Sequence, residues 1–232
     1  MNFTLTARAP EPEPSALIIH VAITASKDSN PHTKNTTMPA KPNLKPPAGT
    51  FTTTPSEVEL AFKERSKQGS VCTWIFEVDY SINSKYPRFF LFNVKTGDLY
   101  KYKTAHGRGG RNETPHDGKC RQVSNVNGSG CSSLGAIRTL ALYTSTKVGR
   151  ALRLDGLSGT NSNIQGRGVV LHGGGYVSDN DASTDKGLSG RSLGCIVPDE
   201  KYIHYAKGGK LLDVLAHGSI GVTHFGGKFK IP

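Results

Sequence analysis

The feature that most constrains this chain is a repeated local pattern: short aromatic or β-branched runs, each closed by a glycine-bearing turn. Residues 71–80, 88–94 and 99–104 are three such runs, and Lys95-Thr96-Gly97-Asp98 joins the last two. Aromatic and β-branched side chains fit a pleated surface, and Gly97 supplies the positive φ that a tight hairpin needs. Further runs lie at 140–143, 151–154, 168–171 and 211–215 and are expected as strands, with 211–215 the last clear one. The sequence holds 27 glycines, which favours turns and strands over long helices. The expected fold is mainly β, a sandwich or barrel-like sheet with a few short helices. One helix is expected from Thr54-Pro55-Ser56-Glu57, with Thr54 as N-cap, Pro55 in the first turn and Glu57 as reciprocal cap, to a stop at Gly69. A second opens at Pro198-Asp199-Glu200 and runs to Ala206, before Gly208-Gly209.

Residues 1–52 are rich in Pro, Thr, Asn and Lys and show no sustained periodicity, so a disordered or linker-like segment is expected there, with the folded domain over 53–232. The apolar run 15–25 has the length of a signal-peptide core. Glu11 and Glu13 outweigh Arg8 before it and His20 interrupts it, so it makes no convincing signal, and Met38 offers a second start. No stretch is long and apolar enough to span a membrane, so no stable membrane insertion is expected.

The net charge of +11 favours a negatively charged partner. The basic residues are not clustered and lack interleaved aromatics, which argues against nucleic acid. No zinc-ligand spacing and no Cys-x-x-Cys occurs. Cys120 and Cys131, separated by ten residues, are either a disulfide or two free thiols. Cys72, beside Trp74, reads as core.

One stretch carries recognisable chemistry: Leu171-His172-Gly173-Gly174-Gly175-Tyr176-Val177-Ser178, then Gly190-Arg191-Ser192-Leu193-Gly194-Cys195. Val169-Val170-Leu171 reads as a buried strand that delivers His172. A cysteine nucleophile needs a base to form its thiolate, and a third group must orient that base. The Gly173 carbonyl suits the orienting role, and the amides of Gly194 and Cys195 suit an oxyanion. Taken alone, a Cys and a His are more often core or surface residues than a catalytic pair.

The full run resembles the YkuD-type L,D-transpeptidases of bacterial cell-wall metabolism, which carry a His-Gly segment followed by Ser/Thr-x-Gly-Cys. It is most similar to the murein subgroup, whose pattern is H-G-x-x-Y-V-S … G-R-S-x-G-C-P. Two positions depart from it: Leu193, where the wider family often has His, and Ile196, which replaces the usual Pro. The subgroup is also similar around Ala105-His106-Gly107 and around Ser132-Ser133-Leu134-Gly135. The resemblance implies that Cys195 is the nucleophile and His172 the base, with Gly173 and Ser192 positioning them. It implies that Gly194, Arg191, Tyr176, His106 and Ser133 meet substrate. For Arg191 a bridge within its own loop stands as the alternative, for His106 an exposed loop position, and for Ser132 and Ser133 a turn cap. The polar loop 179–188 is a lid or a plain spacer. His217 and His224 receive no role.

The implied substrate is the peptidoglycan peptide stem, met outside the cytoplasm, with no cofactor and no metal. Transfer to an amine is the leading reaction. The alternatives are hydrolysis by an L,D-carboxypeptidase or interbacterial toxin of the same fold, and a cell-wall-binding domain without catalysis. Nothing in the sequence sets the oligomeric state.

Overall fold

A computed structural model describes residues 56–110, 116–177, 187–205 and 210–226. Residues 1–55, and with them Thr54, Pro55 and the apolar run 15–25, lie outside the described residues, as does most of the loop 179–188.

The domain is mainly β with a few short helices, as the runs and glycines predict. Strands β1 (Trp74–Asp79), β2 (Phe89–Asn93) and β3 (Leu99–Tyr102) form an antiparallel meander. Gly97 turns β2 into β3 at φ 79°. β4 (Thr104–Gly107) leaves that meander for a second sheet. β5 (Gly135–Ser145), β6 (Gly149–Gly156) and β7 (Val170–His172) form a second antiparallel set. β8 (Arg191–Ser192) and β9 (Val197–Pro198) flank β4, and β10 (Ile220–His224) lies between β1 and β5. The large sheet therefore runs β3-β2-β1-β10-β5-β6-β7, and the small one β8-β4-β9.

The large sheet is covered on both faces, which explains why β2 is buried at every position instead of alternating. Phe76, Phe89 and Leu91 enter the main core, where Phe76 and Phe89 stack at 5.4 Å. Ile75, Phe90 and Phe92 point to the other face, against Val58 and Ala61. That second face is covered by a 3₁₀ turn (Ser56–Val58) running into α1 (Glu59–Lys67). The Glu57 carboxylate pairs with Lys101 on β3, while Thr54, its expected capping partner, lies outside the described residues. α1 is pinned by the buried Glu77, which accepts the Ala61 amide at 3.0 Å and faces His224 Nε2 at 2.8 Å.

Two expectations near the C-terminus are corrected. Residues 211–215 are a helix, α3 (Leu211–Leu215), not the last strand. Leu211, Leu212 and Leu215 fall on one helical face and enter the main core, while Asp213 turns out to Arg150. The last strand among the described residues is β10, beyond the last strand expected. Gly221 there lies directly over the Phe76 ring, where a Cβ would collide, so this glycine is a packing requirement. The helix expected from Pro198 begins later, as α2 (Glu200–Tyr205), because Pro198 still belongs to β9. Cys120 and Cys131 are two free, buried thiols, and Cys72 packs at the edge of the α1-side core. No helix among the described residues is long and apolar enough to cross a membrane.

Candidate active site

The two sheets meet where the segment after β8 passes β7. The Leu171–Ile196 bridge joins them, with the His172 amide on the Ile196 carbonyl (3.2 Å) and the Ile196 amide on the Val170 carbonyl (3.1 Å). Leu171 and Ile196 both point into the main core. Neighbours along an extended chain point to opposite faces. His172 and Cys195, one residue to either side of that bridge, therefore turn together to the other face. Both line one open groove of about 580 Å³.

His172 is nearly buried, with Nδ1 2.7 Å from the Gly173 carbonyl. A carbonyl only accepts, so Nδ1 carries the hydrogen and Nε2 presents a lone pair. Burial holds the imidazole below its ordinary value, against the opposing effect of the Gly173 carbonyl. Burial likewise pushes the Cys195 thiol up, opposed by the Val170 backbone and the positive Arg167. Both shifts favour the neutral thiol and the neutral imidazole over a thiolate–imidazolium pair.

The turn that presents Cys195 is closed by Ser192, whose Oγ accepts the Gly194 amide (3.1 Å) and donates to the Cys195 carbonyl (2.8 Å). Gly194 sits at φ 118°, and a Cβ there would lie 2.5 Å from the Cys131 carbonyl. Only glycine fits. Because the Gly194 amide is already committed, the Cys195 amide alone of the two stays open among the described residues. Cys195 packs against Ala105, Val177 and Val197.

Tyr176 rides on a 3₁₀ turn (Gly175–Val177), its ring held between Gly174 and Gly190, where added Cβ atoms would strike it. It lines the groove, and its phenol is pushed up to about 12 by burial and the nearby Cys195. Arg191 also lines the groove, from β8.

His106 and Ser133 do not line it. His106 is buried on β4, opposite Arg191, with Nδ1 2.8 Å from an Nη of Arg88. Burial, then the charges of Arg88 and Arg191, lower its pKa to about 3. Ser133 donates to the Ser124 carbonyl (3.1 Å) and accepts from Arg167, and Ser132 accepts the Gly107 amide (3.0 Å).

Sequence reasoning missed four contributors. Arg167 spends its guanidinium on the Ser124 and Cys131 carbonyls (2.7 and 2.6 Å), tying the 124–131 loop beneath the Gly194 turn. A polar position in a glycine-rich turn gives no hint of that. Arg108, Lys147 and Glu200 come to the groove from three separate segments, and only Arg108, next to the Ala-His-Gly run, had a neighbouring signal.

Fold and site together define a mainly β domain whose two sheets meet at a groove lined by His172 and Cys195. A family model described as the L,D-transpeptidase catalytic domain matches residues 51–220, well over half of the chain, and the chain belongs to that family. The family acts on peptidoglycan. A search of the curated proteins finds no match.

Proposed function

We propose that the protein is a peptidoglycan L,D-transpeptidase working through a Cys195 thioester on the tetrapeptide stem, outside the cytoplasm. His172 Nε2 takes the thiol proton as sulfur attacks the carbonyl of the third stem residue. The tetrahedral oxyanion takes the Cys195 amide. The C–N bond to the terminal D-alanine then breaks, and His172 returns the proton to the leaving amine. An acceptor amine gives its proton to His172, attacks the thioester and releases the thiol, leaving a 3→3 crosslink or an exchanged amine. Ser192 and Gly173 position nucleophile and base, and Arg191 and Tyr176 flank the bound stem.

The observation that carries this reading is the Gly173 carbonyl on His172 Nδ1, which leaves Nε2 as a base over the groove that holds Cys195. A neutral pair suits general-base catalysis, in which the proton moves as the bond forms. The test is mass analysis of muropeptides with tetrapeptide stems after incubation with the protein. A 3→3 dimer or amine-exchanged product, absent with Cys195→Ala, supports transfer. Tripeptide alone makes water the acceptor. An unchanged pool that still binds the protein reduces it to a wall-binding domain.

A further inference from the structure

A second cavity of about 360 Å³ adjoins the groove and shares two of its lining residues, Arg108 and Leu193. Its other walls are Gly109, Gly110, Asn127 and Arg167, among further glycines, and none of the described lining residues is acidic. Two of these glycines have no room for a side chain. A Cβ on Gly109 would lie 2.6 Å from Gln122 Oε1, and one on Gly130 would lie 2.7 Å from the Gly109 carbonyl. Gly109 and Gly130 both have positive φ as well.

The side chains of Arg108 and Asn127 make no hydrogen bond or ion pair among the described residues, and both are exposed. The Arg167 guanidinium is occupied by the loop carbonyls but still adds positive charge. An uncommitted guanidinium fork beside an uncommitted carboxamide matches a carboxylate, whose oxygens accept from both. The divider, Leu193, is 64% exposed and presents no polar group.

We propose that this cavity is a carboxylate-binding subsite, with Arg108 as the anchor and Asn127 as the second donor, and that it takes a free carboxylate of the peptide whose carbonyl lies at Cys195. The proposal rests on the peptide-stem reading above. Two sources share that chemistry: the α-carboxylate of the terminal residue, and a side-chain carboxylate at the third residue.

The experiment separates binding from chemistry. Calorimetry on Cys195→Ala measures the affinity for three tetrapeptides: the free acid, the C-terminal amide, and the form amidated at the third-residue side chain. The same set is repeated with Arg108→Gln and with Asn127→Ala in that background. The expected result is that one amide binds about tenfold or more weakly than the acid, as loss of a charge-assisted pair implies, and that Arg108→Gln removes the difference. The amide that weakens identifies the source. Arg108→Lys restores part of the preference, since it keeps the charge without the fork. Equal binding of all three peptides, or a preference that survives Arg108→Gln, overturns the subsite. Acylation of wild type by the same peptides is scored separately: binding with the predicted preference but no acylation defeats the transpeptidase reading and leaves the subsite standing. Arg108 is exposed, so unchanged thermal melting of its variants excludes misfolding as the cause.

Discussion

Ser192 Oγ donates to the carbonyl of Cys195 at 2.8 Å while it accepts the Gly194 amide at 3.1 Å, so one hydroxyl closes the turn that presents the thiol. Ser192→Ala removes both bonds and leaves a partly buried carbonyl and the Gly194 amide without this partner, a loss of about 1–3 kcal/mol. The expected outcome is a ten- to hundredfold slower acylation of Cys195, with alkylation by a small thiol reagent much less affected. Ser192→Thr keeps the hydroxyl and retains most of the rate. Stopped-flow acylation of the three proteins checks this.

The neutral Cys195–His172 pair sets the pH behaviour. With the thiol raised above its ordinary 9.0, alkylation by iodoacetamide keeps rising beyond pH 9 and shows no plateau on the acid side. With the imidazole held below 6.5, His172 stays a competent base down to mildly acid conditions, and the acid limb of kcat/KM lies under pH 6.5. A flat alkylation profile from about pH 5 to 8 would show a thiolate–imidazolium pair instead.

Gly194 tolerates no side chain. At φ 118°, with the Cys131 carbonyl 2.5 Å from where a methyl group would sit, Gly194→Ala strains the backbone by about 1–3 kcal/mol before any clash is counted. Melting temperature is expected to fall by about 5–10 °C and acylation to be lost. Calorimetric melting and intact-mass acylation measure the two effects.

Acid stability is governed in part by His106. It is held neutral in the fold to about pH 3 by burial and by Arg88, but takes up a proton in the unfolded chain near 6.5. The unfolded state therefore binds more protons, and stability falls as pH drops between those values, by about 1.4 kcal/mol per unit from this site at most. Urea unfolding from about pH 7 to pH 4 is expected to show that slope. His106→Asn flattens it.

What the sequence could and could not reveal divides along physical lines. The meander of β1 to β3 was legible because Phe89, Leu91 and their neighbours are strong strand formers and Gly97 marks the turn. The Cys–His stretch was legible because its residues run in register with a known pattern. Residues 211–215 misled because five mostly apolar residues fit a buried strand or a helical face equally well, and only packing of Leu211, Leu212 and Leu215 decides. β10 was hidden because Gly221, needed against Phe76, reads locally as a loop. Arg88 gave no warning either: a fully buried guanidinium held by the Thr104 and Ile82 carbonyls and by His106 is a tertiary fact, invisible in the run of residues around it.

The role of Cys195 is tested most directly by the mass of the intact protein after brief incubation with a tetrapeptide stem. Wild type is expected to gain the mass of the stem less its terminal D-alanine, on the peptide that contains Cys195, and Cys195→Ala to gain nothing. His172→Ala is expected to form the adduct at least about a hundredfold more slowly, the loss of a general base. An adduct on another residue, or no adduct from a stem that demonstrably binds, would contradict the assignment of Cys195 as the nucleophile.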